Sequence, residues 1–251
     1  MIGAVPVLLA AAFLVTALLY ASVGFGGGST YSALLALSGL DYRLLPLVSL
    51  ACNIVVVTGA SIRFARAGLT PWKKAAVIVL LGAPASFLGG LTPIKEATFL
   101  ALLGGSLVLT ALTMLIPVRE AEGGRATRAA RYMPLAAVPL GYFAGLVGIG
   151  GGIFLAPLLH LARWHCARGI AATASLFILV NSIFGLGGQV IKHGPGLLGQ
   201  ALGAALPLLV AVVIGGQIGS LMAARLLPPH WIRWLTALLV AVVGVRLLAG
   251  I

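Results

Sequence analysis

Residues 23–30 read VGFGGGST, and residues 147–154 read VGIGGGIF. The first run interrupts apolar sequence that extends from the N-terminus to about Leu40, and the second interrupts a comparable stretch in the other half of the chain. Glycine lowers helix stability by roughly 1 kcal/mol relative to alanine and accepts positive φ, so three in a row mark a place where a helix breaks. Val23, Gly24, Gly26, Gly27 and Gly28 recur as Val147, Gly148, Gly150, Gly151 and Gly152, each displaced by 124 positions. A break used twice at matching places belongs to the design of the fold.

Of the 251 residues, 61% are hydrophobic and 8% charged, against about 25% charged in soluble domains. Runs such as KKAAVIVLLGAPASFLGG (Lys73–Gly90) lack the apolar/polar alternation of a transmembrane barrel. Backbone polar groups in lipid must be bonded internally, which leaves helices. The sequence therefore predicts an all-α polytopic membrane protein in a lipid bilayer. The net charge of +12 could signal a nucleic-acid partner, but nearly all basic residues lie in short gaps between apolar runs, as topology signals do. No nucleic-acid surface is expected. Cys52 and Cys166 stand in neither a CxxC nor a Cys/His zinc spacing, so no metal, cofactor or disulfide framework is expected. The N-terminal run MIGAVPVLLAAAFLVTALLYAS lacks a basic leader and exceeds the roughly 7–15 apolar residues of a signal peptide, so it reads as a retained membrane segment.

Proline, glycine and charge punctuation divides residues 1–117 into apolar pieces at about Ala4–Ser22, Gly28–Leu40, Leu44–Ile62, Pro71–Leu91 and Ala97–Pro117. A charged linker, 118–132, follows. Residues 133–251 repeat the pattern as Met133–Val147, Gly152–Leu161, Ala167–Ile191, Leu197–Leu227 and Trp231–Leu248. Asn53 falls opposite Asn181 with a few residues of drift, and Gly82/Ser86 opposite Gly215/Gly219, so the chain reads as an internal duplication. The piece after each glycine run offers about 15–20 Å of helix, short of the ~30 Å hydrocarbon core. With the piece before it, each is expected to form a re-entrant, glycine-tipped hairpin, leaving three full transmembrane helices per half and about 8–10 membrane segments in all. On that count twelve of the sixteen Lys and Arg residues fall on one side, and Arg43, Lys95, Lys192 and Arg246 on the other. The positive-inside rule then puts the linker in the cytoplasm and both termini outside, and makes the halves inverted repeats.

Broken segments at corresponding places of inverted repeats point to a transporter's binding site at the midplane. After Gly28 and Gly152 a new helix begins, so free N–H groups and the positive dipole end face the break and favour an anion. The candidate substrate contacts are Gly26, Gly27, Gly28, Ser29 and Thr30 from the first tip, Gly150, Gly151, Gly152 and Ile153 from the second, and the intramembrane amides Asn53 and Asn181. The cradle is lopsided, because Ile153 and Phe154 stand where Ser29 and Thr30 supply hydroxyls. Gly82/Ser86 and Gly215/Gly219 read as packing seams. All four acids, Asp41, Glu96, Glu120 and Glu122, lie in gaps or at segment edges. A cation pump would want a buried carboxylate, and an enzyme a nucleophile with its base or a metal cluster within the spans. Neither pattern is present, so no enzyme is expected.

The motifs SVGFGGGST and GLVGIGGGIF, Pro157 soon after the second, and the duplicated halves resemble the sulfite exporter TauE/SafE family over nearly the whole chain. The resemblance implies a bacterial inner-membrane permease for a small inorganic or organic sulfur anion, such as sulfite, thiosulfate, sulfoacetate or a related organosulfonate. It implies the same contacts, the glycine tips with Asn53 and Asn181. A gated anion channel using the same dipoles and a structural subunit needing a partner are the competing expectations. The particular anion, the coupling ion and the choice between monomer and homo-oligomer stay open.

Overall fold

A computed structural model of the chain describes residues 7–22, 25–115, 127–222 and 229–250. Within them the chain runs as α1 (Val7–Ser22), α2 (Gly28–Leu37), α3 (Leu44–Arg66), α4 (Trp72–Leu91), α5 (Glu96–Leu115), α6 (Met133–Val147), α7 (Gly152–Leu161), α8 (Ala167–His193), α9 (Pro195–Met222) and α10 (Pro229–Ala249), with no strand among the described residues. The helices begin and end close to the expected apolar pieces. α3 runs past Ile62 to Arg66, placing Arg63 and Arg66 in its last turn, where the helix dipole favours cations. Most of the expected linker lies outside the described residues; its end, Arg128–Tyr132, is a 3₁₀ turn leading into α6.

Helices α3, α4, α5 and α8 are each long and apolar enough to cross a membrane. Helix α9 makes a fifth if its parts, Pro195–Gly203 and Ala205–Ser220, bent by 61°, form one span. Pro207 follows this bend, and a proline within a helix kinks it because its ring clashes with the carbonyl four residues back, which here is that of Gly203. Among the described residues, four or five of the six expected crossings are thus long and apolar enough. The pieces flanking the glycine runs are shorter, with 16 and 10 residues in α1 and α2 and 15 and 10 in α6 and α7. Large apolar side chains face outward along the helices, among them Leu80, Leu109, Leu206 and Leu238, each more than half exposed, as lipid-facing residues would be.

The two halves interlock rather than standing side by side. α1 packs along α9, where Gly215 and Gly219 lie against the carbonyls of Leu14 and Leu18, so these helices run parallel. α6 packs along α4 the same way, Gly141 and Gly145 meeting the carbonyls of Gly82 and Ser86. A methyl at any of these four glycines would overlap a backbone carbonyl, so both stripes of small residues form close helix seams. α3 and α8 cross antiparallel at the centre, Ser61 bonding to Ser175 at 3.0 Å and Leu50 approaching Gly185. α5 and α10 pair antiparallel, with Gly104 beside Leu248 and Leu107 beside Gly244. Tyr42, Arg43, Pro93, Lys192 and His193 gather at one end of the bundle. Lys74 over the Trp164 ring, at 5.8 Å, and Thr127 bonded to the Ala162 carbonyl mark the other.

Candidate functional site

Both glycine runs break the chain in the same way. Gly27 (φ 81°) caps α2 and Gly151 (φ 75°) caps α7, each in the left-handed region and each without a side-chain cap. The Tyr31 N–H donates to the Gly27 carbonyl at 2.9 Å, and the N–H groups of Phe154 and Leu155 both donate to the Gly151 carbonyl at 3.2 Å. The amides ahead of them, Gly28 to Thr30 in α2 and Gly152 and Ile153 in α7, have no helical carbonyl behind them. Two helix N-termini, with their positive dipole ends, therefore meet inside the bundle.

Asn53, from the middle of α3, stands between the tips. Its Nδ2 donates to the Ile149 carbonyl of the second run at 3.2 Å, while its Oδ1 is buried without a partner. A Cβ on Gly26 would stand 2.6 Å from that Oδ1, and one on Gly28 would meet the Asn53 amide and the Ile149 carbonyl, so glycine is required for this approach. One turn earlier on the same face of α3, the Ser49 hydroxyl donates to the Gly28 carbonyl at 2.9 Å. Ser29 Oγ is also buried and unpartnered. Buried polar atoms nearly always have partners, so unpartnered ones at a helix N-terminus mark a place where a polar guest fits. Gly26, Gly27, Gly28, Ser29, Asn53 and Ile153 line a cavity of about 10 Å³ there, room for at most one water. An oxyanion can enter only if the tips part.

The other candidate residues lie further off or serve the scaffold. Thr30 Oγ1 is 2.8 Å from the Tyr20 hydroxyl, a bond that ties α2 to α1. Gly150 (φ 81°) approaches Asn53 and the Ser182 hydroxyl, Gly151 packs against Ala144 and Phe177, and Gly152 packs on Ile178. Asn181 is displaced from the expected place opposite Asn53. Ile178 meets the second tip as Asn53 meets the first, and Asn181, three residues on, lies beside Gly82 of α4. A helix turns about 100° per residue, so three positions of drift rotate a side chain roughly 60° off the matching direction. Both Asn181 amide atoms and Ser182 Oγ are buried without partners. Sequence reasoning missed Ser49, whose spacing of four from Asn53 was a signal in plain view. It also missed the Ile149 carbonyl and Ile178, which had none.

The donors available at the break are amide N–H groups and the Ser29 hydroxyl, with Asn53 Oδ1 beside them as an acceptor. The family described as sulfite exporter TauE/SafE matches residues 8–247. A probable membrane transporter protein of Sinorhizobium fredii is 35% identical over 246 residues, covering 96% of this chain and 97% of its own length. A second, from Methanocaldococcus jannaschii, is 26% identical over 118 residues, 45% of this chain and 43% of its own length. No solved structure matches. The chain is a multi-pass membrane protein and belongs to the sulfite exporter TauE/SafE family of membrane transporters.

Proposed function

We propose that this protein is a permease that exports a small sulfur-containing anion, sulfite, thiosulfate, sulfoacetate or a related organosulfonate, across a bacterial inner membrane. The transport unit is a pair of inverted repeats, 1–117 and 133–251, joined by a cytoplasmic linker at 118–132, with both termini outside. Support for the inversion comes from helix direction: α1 runs with α9, α6 with α4, and α3 against α8, as a two-fold axis in the membrane plane would require. The observation that carries the anion reading is the meeting of two glycine-capped helix N-termini beside Asn53, where free amide N–H groups and the buried, unpartnered Ser29 hydroxyl can donate to an oxyanion. The backbone amides of Gly26 to Thr30 and Gly150 to Ile153, with the Ser29 hydroxyl, hold the anion, and Asn53 positions the two tips beside it. Asn181 and Ser182 are the next polar groups along α8 once the tips part. The small cavity supports alternating access over an open pore. An interior-negative potential contributes about 2.3 kcal/mol per charge per 100 mV toward anion exit.

The test is flux from proteoliposomes loaded with sulfite, thiosulfate, sulfate or an organosulfonate, with and without an imposed potential. Saturable efflux of at least one sulfur anion, faster under an interior-negative potential, is expected. If no sulfur oxyanion moves, the proposal is lost, and flux that rises without saturation marks a channel instead.

A further inference from the structure

The larger cavity is not at the glycine tips. At the end of the bundle where the α2–α3, α4–α5 and α8–α9 connections gather lies a cavity of about 280 Å³, just below the roughly 300–1,000 Å³ of pockets that hold drug-sized ligands. Its polar lining is basic, with Arg43, Lys192 and His193. Asp41 and Glu96 lie at the same end but do not line it, and the Asp41 carboxylate accepts the Arg43 backbone amide at 2.9 Å. The Lys192 ammonium donates to a neutral carbonyl, that of Thr92, at 3.3 Å. The remaining wall is apolar and includes Phe99, Ile94 and Leu146. Gln189, fully buried, faces the floor, with Nε2 donating to the Gly145 carbonyl at 2.9 Å and Oε1 unpartnered. From that floor only Val147 and Gly148 separate Leu146 from Ile149 at the midplane tips, and Gly148 is pressed against Pro46.

We propose that this cavity is a second anion site that takes small organic anions, with a sulfonate or carboxylate head on Arg43 and Lys192 and a short alkyl body against Phe99 and Ile94. A guanidinium and an ammonium suit such a head, and the apolar side chains that share the lining suit an alkyl body that an inorganic oxyanion lacks. As a binding site it stands independently of the midplane reading; as a station on the transport path it rests on that reading.

Full-length protein in neutral detergent is titrated calorimetrically with propanesulfonate. Arg43→Gln combined with Lys192→Gln is expected to weaken binding by about tenfold or more, whereas Lys192→Arg stays near wild type and Arg246→Gln, an exposed cation outside the cavity, changes nothing. Phe99→Ala is expected to weaken propanesulfonate more than methanesulfonate. Thermal unfolding confirms that each variant is folded. Unchanged affinity in the folded Arg43/Lys192 double variant, or no propanesulfonate binding by wild type, overturns the proposal. A repeat in phosphatidylcholine nanodiscs, with and without phosphatidylglycerol, separates the sources, since displacement by the anionic lipid would overturn the solute assignment in favour of a lipid headgroup. Wild type that exports sulfite but binds no propanesulfonate refutes this site alone. Wild type that binds propanesulfonate through Arg43 and Lys192 yet moves no sulfur anion refutes the midplane reading alone.

Discussion

The two glycine tips share a backbone and differ in nearly every side chain around it. Both place a left-handed glycine at the cap and start a helix of 10 residues. Around the first stand Ser29, Thr30, Ser49 and Asn53; at the matching places of the second stand Ile153, Phe154, Ala174 and Ile178. The backbone duplication supplies the dipoles and the break on both sides, as the proposed two-fold transport cycle would require. The polar side chains at the helix start itself belong to the first copy, while the second has Ser182 beside Gly150. The difference teaches that the repeat preserves the backbone break while the side chains around it have diverged; on the proposed function, the first half would then do more of the holding.

Moving a methyl into each tip should break that comparison most visibly. A Cβ at Gly28 would meet the Asn53 amide and the Ile149 backbone carbonyl, neither of which can retreat without losing the bond between them. A Cβ at Gly152 would meet the Ile178 side chain at Cγ1 and Cδ1, which can shift without breaking a hydrogen bond, with the Ala174 carbonyl 3.1 Å away. Overpacking a tight site costs about 1–3 kcal/mol. Gly28→Ala should therefore cut sulfite efflux from proteoliposomes by about tenfold or more, and Gly152→Ala should have a much smaller effect. Equal losses would show that the tips are equivalent after all.

Asn53 and Ile178 give the second contrast. Asn53→Ala leaves the Ile149 carbonyl without its donor and empties the space between Gly26, Gly28 and Gly150 that holds the two tips in register. The buried, deserted carbonyl costs about 1–3 kcal/mol of stability, and efflux should fall by about tenfold. Ile178→Val removes one methylene, costs about 0.5–1.5 kcal/mol, and should leave efflux close to wild type. Thermal unfolding in detergent and flux, measured on the same preparations, separate the two effects.

Much of this was legible in the sequence, for identifiable reasons. Helix ends could be read because proline, glycine and charge are strong local signals, and the glycine runs fixed the caps at Gly27 and Gly151. The seams at Gly82/Ser86 and Gly215/Gly219 followed from small residues at a spacing of four. Their partners did not, since nothing local in α1 states that it will lie along α9. The pairing of Asn53 with Asn181 went astray because residue type was matched where helix face decides contact. Only the packing of α3 on the first tip and α8 on the second reveals Ile178 in that place. The cavity at Arg43 and Lys192 joins four helices distant in sequence, and no pattern within any one of them announces it.

A smaller contrast lies within the first tip. Ser29 Oγ has no partner, whereas Thr30 Oγ1 is bonded to Tyr20. Ser29→Ala should leave stability unchanged or slightly raised and weaken sulfite affinity, because a hydrogen bond to a charged group contributes about 1.5–3 kcal/mol. Thr30→Val should do the reverse, lowering stability by about 1 kcal/mol with little change in affinity. A loss of affinity in both variants would place the Thr30 hydroxyl on the anion in spite of Tyr20.

The smallest expected difference is between Gly27→Ala and Gly151→Ala, and it is the sharpest test of what the halves share. Both positions hold positive φ, at 81° and 75°, and both are crowded, a Cβ falling 3.1 Å from the Tyr31 ring at Gly27 and 3.0 Å from Ala144 at Gly151. A left-handed conformation costs a residue with a Cβ roughly 1–2 kcal/mol, and that cost belongs to the backbone alone. The two variants should therefore lose nearly the same stability, within about 0.5 kcal/mol of each other, even though the side chains around them differ. A large gap between their unfolding midpoints would mean that the tips are not mechanical copies. The asymmetry would then reach into the backbone, and the case for one hinge geometry serving both halves would fail.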